Sequence, residues 1–233
     1  MRKYILFLSL VLAACGTSGR CEYIGCEYLG ARYATDPLGE EYGYDADPLI
    51  RIDAFDCVTF VEMSMAGGDA DKLAKIRYRG AQVDFLERNH FIEYDWVRNN
   101  AGLVENVTAR YGAAKIRRVY LDRKNWFKKN HGMDVGLYNA WVDVAYIPYS
   151  DLGPINADAP LPVLFIIDNP KMRDKIGSDL AVSHMGFLLP NGKLRHASSE
   201  SGFVVDTDFA EYAAARQANK NNLGVALYRI KND

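Results

Sequence analysis

The chain has 233 residues, 49% of them hydrophobic, which is enough for one sizeable core and too little for two ordinary domains. Its 28 basic and 30 acidic residues nearly cancel, and no long run of one sign appears. A nucleic-acid partner is therefore not expected, because such surfaces need a basic patch or stripe.

Arg2 and Lys3 precede a short apolar stretch from Tyr4 to Leu12. That stretch is too short for a bilayer of ~30 Å, which takes about 20 helical residues, and it has the proportions of a signal peptide. The run Leu12-Ala13-Ala14-Cys15-Gly16 resembles the bacterial lipobox, in which Cys15 is lipidated and becomes the first mature residue. The expected organisation is a signal peptide over 1–14, a lipidated tether over 15–28 and a single domain over 29–233. Such a protein is exported and held to a membrane through Cys15. Gly16 in place of an aspartate favours a periplasmic location on the outer membrane. Of the other cysteines, Cys21 and Cys26 either pair in an oxidising compartment or remain two free thiols. Cys57 has no evident partner, so it is a candidate reactive thiol.

Tyr42 to Pro48 reads as a loop. Asp56 can cap a helix from Cys57 to about residue 66 that Gly67-Gly68 closes, and Asp69 to Arg79 reads as a second helix. Asp84 and Glu87 look like a solvated face, and Asn125 to Lys129 like a short helix. Val163 to Ile167 is consistent with a buried strand. Ala181 to Leu189 and Lys193 to Ser198 flank Pro190-Asn191-Gly192, a hairpin signal. Asp208 to Ala218 reads as a helix and Leu223 to Ile230 as a closing strand. Helices first and an antiparallel sheet later define an α+β fold, with the N-terminal helices packed on the C-terminal sheet.

Cys57 at a helix N-terminus would face unpaired backbone N–H groups that favour a thiolate and can hold an oxyanion. A thiol nucleophile also needs a base, and the chain has four histidines: His90, His131, His184 and His196. A two-residue hairpin loop would send His184 and His196 to opposite faces, whereas a three-residue loop puts them diagonally on one face. The turn chemistry favours the latter, with Pro190 preset for the turn and Gly192 free to take the left-handed conformation. Each of the three residues alone reads as structural. Together, in the order Cys, His, His, they read as nucleophile, base and orienting group. His90 reads as a residue that holds the Asp95-Trp96 loop by hydrogen bonding, and His131 carries no role.

These motifs resemble the NlpC-type branch of the papain-like cell-wall cysteine hydrolases. The resemblance rests on Asp56-Cys57 opening a helix, His184-Met185-Gly186-Phe187 on a strand, Asn191-Gly192 at a turn and His196-Ala197 on the next strand. Within that branch, Asp56 to Glu62, Arg88-Asn89-His90-Phe91, Asp95-Trp96 and Ser183-His184 are similar to the N-acetylmuramoyl-L-alanine amidase-like family. The resemblance implies a papain-like fold, with Cys57 as nucleophile, His184 as base and His196 as the group that orients it. It places Tyr33, Asp95, Trp96 and Ser183 along the substrate cleft, with Trp96 stacking on sugar. The implied reaction is hydrolysis of the amide between N-acetylmuramic acid and L-alanine in peptidoglycan or muropeptides, without metal or cofactor. Separately from the resemblance, a monomer is expected. A stem-peptide endopeptidase with the same catalytic set is the nearest alternative. A non-catalytic wall-binding lipoprotein, or one holding zinc through Cys57, His184 and His196, stands further off.

Overall fold

The computed structural model describes residues 21–231, so the expected signal peptide and Cys15 lie outside the described residues. Ten strands join in one sheet: β1 (Arg32–Tyr33), β2 (Ala54–Phe55), β3 (Val104–Asn106), β4 (Lys115–Leu121), β5 (Ala140–Pro148), β6 (Leu161–Ile167), β7 (Val182–Leu188), β8 (Lys193–Ser198), β9 (Phe203–Asp208) and β10 (Asn222–Ile230). Their spatial order is β2-β1-β9-β8-β7-β6-β10-β5-β4, with β3 on β10. The helices are α1 (Cys57–Ala66), α2 (Ala70–Arg77), α3 (Val97–Asn99), α4 (Thr108–Tyr111), α5 (Arg123–His131), α6 (Met172–Ile176) and α7 (Phe209–Gln217). No described helix is long and apolar enough to cross a membrane.

The class is α+β, with two corrections. Half of the strands precede the apolar run of β6, and the β1–β2 pair is parallel in an otherwise antiparallel sheet. The earlier strands escape a pattern reading for a physical reason. β4 lies at the sheet edge with most of its side chains wet, so Lys115-Ile116-Arg117-Arg118 lacks a clean apolar alternation. In contrast, β6 is apolar throughout because both of its faces are covered. Leu164 and Ile166 enter a core shared with α1 and α2, while Val163 and Phe165 enter a second core beneath α7.

Of the expected tether over 15–28, residues 15–20 lie outside the described residues, and the remainder is not free of the domain. Residues 21–28 dock on the domain: Cys21 and Cys26 form a disulfide, Cys26–Tyr28 makes a 3-10 turn, and Tyr28 is buried 4.9 Å from the Phe55 ring. Arg195 on β8 holds this segment. Its guanidinium is bidentate to Asp206, at 2.8 Å for both bonds, and directs Nη1 to the carbonyls of Glu22, Tyr23 and Ile24 at 3.0–3.2 Å. A buried guanidinium needs all of these acceptors, and the N-terminal segment supplies three of them.

Candidate active site

Helix α1 starts at Cys57 because Asp56 satisfies its first donors. The Asp56 carboxylate accepts from the Val58 and Thr59 N–H groups at 3.0 and 2.8 Å, and Thr59 Oγ1 accepts from the Asp56 N–H at 2.9 Å, forming a reciprocal capping box. Gly67, at φ 62°, ends the helix. Cys57 is half-buried and free. Burial pushes its thiol up to about 12, the Asp56 charge adding to the effect, while the Met185, Cys57 and Val58 backbone N–H groups pull the other way. The expectation of a resting thiolate is thus reversed, because desolvation and the capping carboxylate outweigh the helix terminus.

The β7–β8 hairpin takes the register that the turn chemistry implies. Phe187 pairs with Arg195 and Leu188 with Leu194, so Gly186 comes opposite His196, and Gly192 is left-handed at φ 78°. A Cβ on Gly186 would lie 2.7 Å from the Arg195 carbonyl oxygen and 2.9 Å from His196 Cβ, so glycine alone admits this approach. His184 Nε2 and His196 Nδ1 are 2.7 Å apart. Their neighbours set the direction of that bond. Thr207 Oγ1 lies 3.5 Å from the Leu194 carbonyl, which can only accept, and 3.4 Å from His196 Nε2. With the hydroxyl proton given to Leu194, His196 donates from Nε2 to Thr207, and His184 donates from Nε2 to His196 Nδ1. The unprotonated nitrogen of His184 is then Nδ1, the atom a base must offer.

Thiol and imidazoles approach β7 from opposite faces. Met185 and Phe187 pack toward α1, whereas His184 lies against Phe165, 5.4 Å between rings, and near Tyr212 of α7 at 6.2 Å. The Tyr212 ring is 5.1 Å from His196. The two faces communicate through a seam. Leu189 N–H donates to Lys193 O, so strand alternation turns the Met185 N–H toward β8 as well. The β7–β8 ladder stops before reaching it, and a bulge opposite Phe165 and Ile166 bends β7 there. The Met185 N–H left over by this parting is on the side of Cys57 and favours its thiolate form. Among the described residues the two imidazoles bond each other and Thr207, and neither bonds the thiol. Burial holds His184 well below the usual histidine range, with the His196 and Arg216 charges adding to it. Burial and then Arg216 bring His196 down to about 4. At neutral pH the thiol and both imidazoles therefore rest uncharged.

The family described as AmiA-like, N-acetylmuramoyl-L-alanine amidase-like, matches residues 23–219. The chain belongs to this family. No curated protein sequence matches it. Among solved structures it is similar to protein LPG0564 from Legionella pneumophila, with 22% identity over 89% of this chain and 87% of that one and a TM-score of 0.82. It is also similar to an N-acetylmuramoyl-L-alanine amidase from Bacteroides uniformis, with 24% identity over 89% of this chain and 96% of that one and a TM-score of 0.68. At these identities the two structures share the fold.

The other residues expected in this amidase-like site are dispersed. Tyr33 on β1 is half-buried, and burial raises its hydroxyl, with the Cys57 thiolate form and the Asp56 charge acting in the same direction. Ser183 is exposed at the β7 bulge, 3.5 Å from the Phe165 carbonyl. Asp95 borders a cavity, but its carboxylate is engaged by Arg123 Nη2 at 2.8 Å and the Phe91 N–H at 3.2 Å. Trp96 is corrected: at 0% exposure its indole is core and presents no face to a sugar. The π-helical turn Ile92–Trp96 sends it inward, where it fills space under α1. His90 is corrected too. Its Nε2 donates to the Phe85 carbonyl at 2.7 Å and its ring sits among Phe85, Trp126 and Phe127, so it braces that turn rather than the Asp95-Trp96 loop. Burial pushes it down to about 3. Tyr212, Arg216 and Thr207 escaped the sequence reading. Only the short alternation Val205-Asp206-Thr207-Asp208 could have marked β9 and so placed Thr207 beside the hairpin.

Proposed function

We propose that this amidase-like protein is a peptidoglycan hydrolase that cleaves the amide between the lactyl group of N-acetylmuramic acid and L-alanine through a Cys57 thioester, in the manner of NlpC-type papain-like enzymes. The observation that carries the reading is the His184–His196 hydrogen bond at the seam to which Cys57 is presented, in a chain of this family. His184 Nδ1 takes the thiol proton as Sγ adds to the substrate carbonyl carbon. The tetrahedral adduct then expels the L-alanine nitrogen, which leaves with the proton from His184 as a free amine. Water, deprotonated by His184, attacks the thioester, and the departing thiolate recovers the proton. The products are a muramyl carboxylic acid and the stem peptide. The Cys57 N–H at the start of α1, which the Asp56 cap leaves free, is a donor for the oxyanion, worth roughly 10²–10³ in rate. His196 fixes the ring of His184 and spreads the charge it gains.

Export as a lipoprotein anchored at Cys15, with a periplasmic, outer-membrane address, belongs to the same reading. The Cys21–Cys26 disulfide supports it, since such bonds persist in oxidising compartments. The decisive experiment incubates the protein with defined muropeptides and identifies products by mass spectrometry. Free glycan and a peptide beginning with L-alanine, absent with Cys57→Ala, are expected. Cleavage inside the stem would keep the chemistry and replace the bond, and cleavage retained in Cys57→Ala would overturn the thioester.

A further inference from the structure

A cavity of about 510 Å³ lies between the π-helical turn and the start of α5, large enough for a small molecule. Four arginines border it, Arg79, Arg88, Arg98 and Arg123, against two acids, Glu87 and Asp95. Both acids are already matched. Glu87 pairs with Arg79 at 2.5 Å, and Asp95 pairs with Arg123 at 2.8 Å. Arg88 is consumed by Glu40, Asp45 and Asp36 at 2.6, 2.6 and 3.2 Å. Arg98 is left over: among the described residues no carboxylate comes within ion-pair range of it. Its position is nonetheless defined, because its guanidinium lies 4.7 Å from the Tyr94 ring centroid, while that of Arg123 lies 5.2 Å from the same ring. The Arg123 Nε is buried without a partner. Two guanidinium groups converge on one ring with only one carboxylate between them, which leaves a surplus of positive charge facing the cavity.

A planar guanidinium fork held in place suits a carboxylate, which it can grip with two parallel hydrogen bonds. The position suits a substrate as well. A smaller cavity of about 260 Å³ is bordered by Asp56, Val58 and Thr59, the residues that flank Cys57, and it shares Arg88 and Asn89 with the arginine-rich cavity. We propose that the larger cavity is a carboxylate-binding subsite in which Arg98, oriented on Tyr94 and backed by Arg123, takes a free carboxylate of the stem peptide. The identity of the carboxylate rests on the muropeptide reading above, while the subsite itself rests on the unmatched arginine.

The test is calorimetric titration of the full chain carrying Cys57→Ala with a muropeptide whose stem carboxylates are free and with the same muropeptide fully amidated. The free acid is expected to bind about tenfold more tightly. Adding Arg98→Ala should abolish that preference, and Arg98→Lys should keep part of it. In the Cys57 protein, Arg98→Ala should raise KM for the free acid about tenfold with kcat little changed, the signature of lost binding rather than lost chemistry. Equal affinity for acid and amide, no binding of either, or a preference that survives Arg98→Ala would overturn the subsite. Cleavage without any acid preference sinks the subsite and leaves the hydrolase standing. An Arg98-dependent preference without cleavage does the reverse.

Discussion

The two faces of β7 solve the same problem in different ways. On the α1 face, Cys57 sits where a helix terminus and a spare strand N–H favour the anion, yet burial and the Asp56 carboxylate keep the thiol protonated. On the α7 face, His184 and His196 lie in a chain of donors that ends at a carbonyl, and burial with Arg216 keeps them neutral. One face is set by a local cap, the other by contacts among β8, β9 and α7. Together they leave a thiol and two imidazoles that are all uncharged at rest.

If both faces serve one reaction, removing either should be equally damaging. Cys57→Ala and His184→Ala are each expected to lower muropeptide turnover on the order of 10⁴-fold or more, and the double variant no further, since the residues act as a unit. Additive losses in turnover assays would show that the faces work separately. The resting thiol can be read directly. Alkylation of Cys57 by iodoacetamide should accelerate about tenfold per pH unit between pH 7 and 9, as for a thiol well below its midpoint. A flat profile would mean a preformed thiolate and break the comparison on the α1 side.

The α7 side can be broken sterically. Gly186→Ala places a methyl group against the Arg195 carbonyl and His196 Cβ, so denaturant unfolding should show a loss of about 3 kcal/mol, with activity lost alongside. The same side predicts an acid-labile fold. Because His196 has its folded pKa held down to about 4, below the unfolded value of about 6.5, its neutral burial stabilises the protein fully above pH 6.5. That contribution, about 3 kcal/mol, is lost as pH falls from 6.5 toward 4, and His184 adds to it in the same direction. Stability that is flat across this window in urea titrations would contradict the buried neutral pair. The smallest effect expected is that of Thr207→Val, which removes the acceptor at the end of the imidazole chain and should cost roughly 3–10-fold in kcat, with KM little changed. An unchanged kcat would remove Thr207 from the site.

What could be read along the chain was chemistry between near neighbours. Asp56 and Gly67 bounded α1 at Cys57–Ala66, and Pro190-Asn191-Gly192 fixed a hairpin register that puts His184 and His196 on one face. Helix caps and turns are decided within a few residues, so their signals survive in one dimension. The family resemblance carried by these motifs agrees with the match over residues 23–219. Other features needed partners far away in sequence. Residues 21–28 looked like a tether because nothing nearby reveals Arg195, which reaches the Glu22 carbonyl across 173 positions. Trp96 looked like a sugar platform because a motif tells nothing of which way a π-helical turn points its side chain. That the thiol packs on the α1 side of β7 and the imidazoles on its α7 side was set by the assembled sheet, and that all rest uncharged follows from desolvation by the elements packed around them. Burial is a property of the assembled sheet and helices, and no local pattern encodes how much water a given side chain will lose.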